Sequence, residues 1–503
     1  METQLLYLLT VIHFLCIMGL ALYGVHRIWM IGCWLNRSSA ETTKRAAFPP
    51  MGDAPQVTVQ IPLYNEASVA GRIIDAVAAF DWPVEKLEIQ VLDDSTDDTR
   101  RIVKERVGHW FSKGKDIYVI HRNRRAGYKA GALANGQERS KGEFVAVFDA
   151  DFVPGSDFLR KTVPYFNHPE IGMVQAKWGF LNTEYSWLTR LQTLLLSSHF
   201  GIEHEVRCSR GLFFNFNGTA GIWRKTAIRT AGGWQSDTVT EDLDLSYRAQ
   251  MAGWRFVYLD HVEVPSELPV TLSDFRCQQD RWGKGAIQTA RKLLPKLFAS
   301  PLPVLVKIEA AAHLLSNFCW VFGFIATITL YPVLLTRIGI GVNQIMWIDL
   351  PLFLLTGIAV MTYYLIFGIK THRRLSLLTI SILPAASIGL APYFTLSVLK
   401  GLFRKGGVFN RTPKFGVMDN APTKRFHFTV QPHVFTNLLI NIPLLIYMLV
   451  PVLFACQRET WPAVPFLCFF PLGFCIVLAH DIYELRFLIR RRRKRSAISH
   501  HRQ

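Results

Sequence analysis

Phe144-Val145-Ala146-Val147-Phe148-Asp149-Ala150-Asp151 is a fully apolar strand that runs straight into two carboxylates one residue apart. In an extended segment residues i and i+2 point the same way, so Asp149 and Asp151 can converge on one hard cation. Mg²⁺ or Mn²⁺ held by one or two carboxylates and completed by substrate phosphates is the usual arrangement for a diphosphate-bearing substrate. An Asp-x-Asp on its own commonly lies on a solvated turn. Here the buried strand before it and Pro154 after it favour a site.

The residues upstream repeat the pattern. Gln56 to Asn65 alternates β-branched residues and ends in a turn, and Asn65 or Ser68 is placed to cap a helix over 67–79. Leu87 to Leu92 is a second strand that runs into Asp93-Asp94-Ser95-Thr96-Asp97-Asp98. Asp116 to Ile120 is a third, followed by a helix around 129–140. Alternating strand and helix predicts a mostly parallel sheet with helices on both faces. Ligands in such sheets bind beyond the carboxyl ends of the strands, where both acidic clusters fall.

Asp93 and Asp94 have two readings: a cap for the next helix, or a contact to a base, a ribose or the metal. Lys129, among small residues in Gly127-Tyr-Lys-Ala-Gly-Ala132, is either a solvated helix lysine or a point charge for a phosphate. The second half, from Met173, carries Phe214-Asn-Phe-Asn-Gly-Thr-Ala-Gly221, Thr240-Glu241-Asp242 and Gln278-Gln279-Asp280-Arg281-Trp282. Acids in a first helical turn suit the helix dipole, an innocent explanation for Glu241 and Asp242. Gln279, Arg281 and Trp282 combine planar donors with an aromatic plate, which suits a pyrophosphate and a sugar ring. Trp187 to Phe200 has leucines at helical spacing, as a core or an interfacial helix would.

Outward from this domain the chain is apolar. Of 503 residues 50% are hydrophobic and only 19% charged, which excludes a disordered chain. Leu5 to Leu35 is longer than the core of a signal peptide and suffices to cross a bilayer. Arg27, Arg37, Lys44 and Arg45 then place the α/β domain in the cytoplasm. Apolar runs return at 304–335, 345–369, 375–399, 434–454 and 461–488. Basic residues flank the run 375–399 on both sides, and Arg490 to Arg495 also demands the cytoplasm. That run, with Pro384 and Pro392 inside, is therefore predicted to be interfacial or re-entrant, leaving five spans in all. The alternative is a sixth span with one basic loop outside. The excess of 56 Lys and Arg over 38 Asp and Glu gives +18, which topology and anionic lipid explain. No motif supports nucleic-acid binding. The 8 cysteines form no CxxC pair and indicate neither zinc nor a disulfide framework.

The stretches Gln90-Val-Leu-Asp-Asp-Ser-Thr-Asp97, Gly127 to Leu133, Phe148-Asp-Ala-Asp-Phe152, Phe216-Asn-Gly-Thr-Ala-Gly-Ile-Trp223, Val239-Thr-Glu-Asp242, Ser266-Glu-Leu-Pro269 and Gln278-Gln-Asp-Arg-Trp282 occur in that order. As a set they resemble family 2 glycosyltransferases, and among them the membrane-embedded processive synthases related to cellulose synthase. Their wording is similar to that of the cellulose synthase-like A and C subfamilies, the mannan and glucan synthases of plants. Phe409-Asn-Arg-Thr-Pro-Lys414 resembles the Phe-x-Val-Thr-x-Lys gating loop of cellulose synthases, with Arg411 in place of Val and Pro413 stiffening it. An attached PilZ-like regulatory domain is not expected after Leu488.

The resemblance implies an α/β GT-A domain, Rossmann-like, over 55–298, inserted between a transmembrane helix at 1–36 and transmembrane or interfacial helices over 304–489. A gating-like loop at 400–430 and a basic cytoplasmic tail at 490–503 complete the layout. The implied activity is inverting, processive hexosyl transfer from UDP-glucose or GDP-mannose into a β-linked glucan or (gluco)mannan, of 1,4 type, that leaves through the membrane. Transfer of one sugar to a lipid is the alternative. By the same resemblance Asp242 is the general base, with Glu241 and Thr240 shaping its site. Asp93, Asp94, Lys129, Asp149 and Arg281 bind donor, and Asp149 with Asp151 holds Mg²⁺ or Mn²⁺. Gln278, Gln279, Trp282, Asn217, Gly218 and Thr219 meet the acceptor, and Phe409, Thr412 and Lys414 form the gating loop. Donor identity, linkage and protein partners are not legible in the sequence.

Overall fold

The structure is a computed structural model that describes residues 2–37, 53–338, 350–371, 377–407, 411–419 and 433–500. After a long apolar helix, α1 (Glu2–Leu35), the chain builds the expected alternation. It runs β1 (Val57–Leu63), α2 (Ala70–Ala78), β2 (Leu87–Asp93), α3 (Thr99–Ser112), β3 (Asp116–His121), α4 (Tyr128–Arg139) and β4 (Phe144–Val147). Then come α5 (Phe158–Thr162), β5 (Ile171–Phe180), α6 (Trp187–Ser198), α7 (Glu205–Ser209), β6 (Gly221–Arg224), α8 (Lys225–Thr230), α9 (Glu241–Met251) and β7 (Arg255–Ser266).

The seven strands form one sheet in the order β3-β2-β1-β4-β6-β5-β7. The pairs among β1 to β4 are parallel, as is β5 with β7, while β6 runs antiparallel to both β4 and β5. The sheet is thus mixed, with one reversed strand in a mostly parallel frame. Every residue of β2 and β4 is buried, which explains the continuous apolar run of β4, while in β2 the buried Glu88 accepts from Thr58 and Tyr118 and Gln90 accepts from Gln60. Leu63 at the end of β1 pairs with Asp93 at the end of β2, so the carboxyl ends of the central strands finish level and open one crevice.

The helix expected over 67–79 begins later, at Ala70, with Val69 at its cap and no side-chain bond there. Asn65 and Ser68 are used elsewhere. Asn65 Oδ1 accepts from Thr96 N at 2.8 Å, tying the end of β1 to the loop after β2. Ser68 Oγ donates to Lys414 O at 2.7 Å. Helix α6 opens with a capping box at Ser186 and continues into a π-helical turn, His199–His204. Its leucines 188 and 191 are buried against residues of the C-terminal apolar helices. This α6 face is core, packed between the α/β domain and the apolar helices.

The C-terminal part comprises α10 (Leu272–Ala299), α11 (Val304–Leu315), α12 (Phe318–Ile338), α13 (Leu350–Lys370), α14 (Leu377–Phe403), α15 (His433–Gln457) and α16 (Val464–His500). Among the described residues five helices are long and apolar enough to cross a bilayer: Gln4–Leu35, Phe318–Leu335, Thr379–Phe403, Phe435–Gln457 and Trp461–Arg486. The chain is an integral membrane protein. Three expectations need correction. The run 304–335 is two helices, because Glu309 of α11 turns inward to His26 and Arg207 (2.8 and 3.0 Å) and holds that turn on the domain. Arg27, counted above among the flanking topology charges, is buried and paired with Glu203. Segment 377–403 is one unbroken helix, so of the interfacial and re-entrant readings the re-entrant one falls, and by length and composition it is a candidate span, with Leu354–Lys370 the shorter apolar stretch. Pro384 and Pro392 are carried inside a face of small residues. Gly389 approaches Gly473 so closely that a Cβ would lie 2.3 Å from its carbonyl oxygen.

Candidate active site

The crevice at the strand ends is walled from five directions: the ends of β1, β2 and β4, the 217–218 loop, the start of α9, one face of α10, and the segment 411–414 from beyond α14. Asp149 follows β4 and its amide donates to Thr219 Oγ1 at 2.9 Å. Its carboxylate meets Lys129 Nζ at 2.5 Å, and that ammonium also donates to Gly218 O at 2.9 Å. Burial alone would lower the Lys129 ammonium, but Asp149 and then Glu241 outweigh it and hold it above its ordinary value. Asp151 meets Lys414 Nζ at 2.7 Å, and the same lysine donates to Glu267 O at 2.7 Å. Each carboxylate of the Asp-x-Asp thus faces an ammonium brought by a different segment.

Opposite them, α9 begins with Glu241 and Asp242, both facing the crevice. Asp242 Oδ1 accepts from its neighbour's amide, Leu243 N, at 2.9 Å, which fixes the rotamer. Burial raises both carboxyls above the ordinary range. Glu241, with Asp242 beside it, is pushed up to about 7. The third first-turn acid, Asp244, is wholly buried and paired with Arg248 and Lys292 at 2.7 and 2.8 Å. It secures the helix instead of facing the crevice.

Helix α10 brings Gln278, Arg281 and Trp282 to the crevice, with the Trp282 ring 6.4 Å from that of Trp178. Asn217 and Gly218 line it too. Their loop is held from behind by Gln175, whose Oε1 accepts from Asn217 N at 3.0 Å, and by His204, 2.6 Å from Asn217 Oδ1. Thr412 and Lys414 line it, whereas Phe409 lies outside the described residues.

Three sequence-predicted residues are not on the wall. Asp93 is buried and its Oδ1 accepts from Ser95 N at 2.9 Å, so it shapes the turn after β2. Its neighbour Asp94 does face the crevice and is gripped by the Arg122 guanidinium, Nε at 2.9 Å. Thr219 is buried behind Asp149, and Gln279 lies beyond the wall on α10.

Other wall residues lie outside the set of site residues expected from the sequence. Tyr64 and Glu66 sit at the carboxyl end of β1, and Arg125 stacks on the Tyr64 ring at 3.5 Å. Arg411 Nε bonds Glu66 at 2.9 Å. Burial raises Glu66 to about 7 despite that partner. Glu267 takes the amides of Phe415 and Gly416, both at 2.8 Å, and so docks the 411–416 segment. The strand-end rule that singles out β2 and β4 applies equally to β1 and would have found Tyr64 and Glu66.

Two carboxylates on one strand-end loop, both already facing cationic charge, fit a divalent cation completed by phosphate oxygens. Among the described residues no group of three or more His, Cys, Asp or Glu could hold a metal by itself. Any cation here would need the ligand's own oxygens.

Residues 55–285 match the family model described as "Glycosyltransferase like family 2". Glucomannan 4-beta-mannosyltransferase 2 of Arabidopsis thaliana is 46% identical over 267 residues, 50% of this chain and 50% of that protein. Glucomannan 4-beta-mannosyltransferase 1 of Oryza sativa subsp. japonica is 43% identical over 290 residues, 56% of this chain and 55% of that protein. The chain spans about half the length of the curated relatives it matches. Among solved structures, a mannosyltransferase, PcManGT, from Pyrobaculum calidifontis in complex with GDP-Man and Mn²⁺ aligns over 80% of this chain and 99% of its own, at 18% identity and a TM-score of 0.48.

Proposed function

We propose that residues 55–285, which match the glycosyltransferase family 2 model, form a GT-A catalytic domain, and that the chain is an inverting, processive hexosyltransferase that extends a β-linked mannan or glucomannan from GDP-mannose. One observation carries the reading: Asp149, Asp151, Lys129, Asp242, Gln278, Arg281 and Trp282, from four separate segments, line a single crevice. The choice of GDP-mannose over UDP-glucose rests on the names of the relatives at 46% and 43% identity.

In this reading Asp242 takes the proton from the acceptor hydroxyl as that oxygen attacks the anomeric carbon. The carbon's bond to the diphosphate oxygen breaks, its configuration inverts, and nucleoside diphosphate leaves. A carboxylate is a competent base when its geometry is fixed, as Leu243 N fixes it here. Lys129 and Arg281 offset the charge that builds on the departing diphosphate. Mg²⁺ or Mn²⁺ bound by Asp149 and Asp151 would add charge neutralisation at the same oxygens. Tyr64 and Arg125 offer a flat surface to the base, and Trp282 offers one to the acceptor sugar. The catalytic domain and the basic C-terminus face the cytoplasm, by the flanking charges.

The test is a panel of nucleotide sugars on detergent-purified protein with Mn²⁺ or Mg²⁺, reading nucleoside diphosphate release and labelled polymer together, with Asp242→Asn as the blank. Polymer from GDP-mannose is expected. Polymer from UDP-glucose alone would make the product a glucan, and a single sugar on lipid would remove processivity.

A further inference from the structure

The segment that delivers Asp242 to the crevice, Asp237 to Thr240, has no regular structure of its own. Its position is set by the face of α10 that lies beyond the Gln278 to Trp282 motif. Gly285 of that face approaches Thr240 so closely that a Cβ would meet its side chain at 2.4 Å. One turn on, Gln288 is 3% exposed and uses its whole amide. Its Oε1 accepts from Val239 N at 3.0 Å, and its Nε2 donates to Arg404 O and Gly406 O at 2.9 and 2.8 Å. A further turn on, Lys292 Nζ meets Asp237 and Asp244, both at 2.8 Å.

Arg404 and Gly406 belong to the turn that ends α14, and Gly406 N in turn donates to Asp237 O at 2.9 Å. Gly406 and Gly407 take positive φ, +57° and +145°, as a sharp change of direction requires. One side chain of α10 therefore holds two segments: the one leading into Asp242, and the turn between α14 and the part of the chain that supplies Lys414 to Asp151. Leucine or methionine would fill the same volume. A buried amide with every bond satisfied sets geometry as an apolar residue cannot.

We propose that Gln288 is a positioning residue that registers the segment Val239–Asp242 against the turn 404–406, so that the proton acceptor and the donor side of the crevice share α10 as one reference. The proposal rests on Asp242 being the base of the glycosyltransferase reading.

The experiment compares the full-length wild type with Gln288→Met, which removes all three bonds, and Gln288→Glu, which keeps the acceptor for Val239 N and loses both donations. Amide hydrogen exchange is followed in peptides covering 236–243 and 404–407, with 57–63 of β1 as the internal control, and GDP binding and transfer kinetics are measured on the same preparations. For Gln288→Met both peptides should exchange about tenfold faster while β1 and GDP affinity stay unchanged. Its kcat should fall about 10- to 100-fold with KM for the donor within about threefold, the signature of a misplaced base. Gln288→Glu should free Gly406 while Val239 stays protected. Wild-type exchange in both peptides, or faster exchange with unaltered kcat, would overturn the proposal, and so would faster exchange throughout the domain. Exchange and GDP binding need no turnover. Absence of sugar transfer by the wild type would count against the glycosyltransferase reading, while the exchange pattern would still decide whether Gln288 joins the two segments.

Discussion

Gly218 lies against Asp242: a β-carbon on Gly218 would stand 2.7 Å from Asp242 Oδ2 and 3.4 Å from Lys129 Nζ. The residue also holds φ +81°, a conformation that L side chains adopt at a cost of roughly 1–2 kcal/mol. The 217–218 loop and Asp242 thus approach to a distance that only glycine permits. Gly218→Ala is expected to lower the rate of nucleoside diphosphate release about 100-fold, because the methyl group displaces either the carboxylate or the loop. An alanine variant with the wild-type rate would mean that the two segments do not approach in the working enzyme.

Lys414 and a bound cation would compete for the same carboxylate, since its ammonium meets Asp151 at 2.7 Å. Lys414→Met should therefore lower the Mn²⁺ concentration that half-saturates GDP-dependent tryptophan quenching by roughly tenfold, since the charge contact it removes is largely buried. Asp151→Asn should raise it much further. An unchanged Mn²⁺ dependence in both variants would separate this pair of residues from the metal altogether.

The pH dependence has a definite direction. Burial and the neighbouring Asp242 push Glu241 up to about 7, and burial raises Asp242 as well. A base must be ionised to act, so activity should be lost as the pH falls through the neutral range and gained as it rises. The two carboxyls titrate as a pair, and removing one charge eases ionisation of the other. In Glu241→Gln the acidic limb of kcat/KM should move to lower pH. A limb that stays in place would assign it to another group, with Glu66, also at about 7 through burial, as the first to replace.

How much of the fold is legible in the sequence depends on how local each signal is. The strands β1 to β4 announce themselves by short β-branched or apolar periodicity, alternating in β1 and β2 and continuous in β4, each ended by a turn. β6 has only four residues, and the β5–β7 pairing shifts register between Ala176 and Lys177, so neither gives a clean period. Asp149, Lys129 and Asp242 are recognisable as residue types in short motifs. Tyr64 and Arg125 reach the crevice only through tertiary closure, from segments with no motif, while Glu267 and Arg411 lie in quoted motifs whose sequence does not say that these side chains meet the crevice. In the membrane part composition reports length well. It hides the break at Ser316 and Asn317, which divides an otherwise apolar run into two helices.

The helix that carries Gln278, Arg281 and Trp282 is anchored from the far end of the chain. Arg276 of α10 is 2% exposed and bonds both oxygens of Asp481 of α16, at 2.5 and 3.1 Å. Three residues further along α16, Glu484 accepts from Leu272 N and Ser273 N at 2.8 and 3.3 Å, satisfying amides at the start of α10 that have no partner within it. Breaking a buried pair by removing one partner costs about 3–5 kcal/mol, because the other charge is left uncompensated, whereas replacing both by apolar residues is often neutral. Arg276→Met alone should therefore lower the thermal midpoint in detergent substantially, and adding Asp481→Leu should restore most of it. The double variant keeps the fold but lacks the geometric constraint on α10, so its transfer rate should remain below wild type even where its thermal midpoint has recovered. Equal recovery of rate and midpoint would show that the pair serves stability alone.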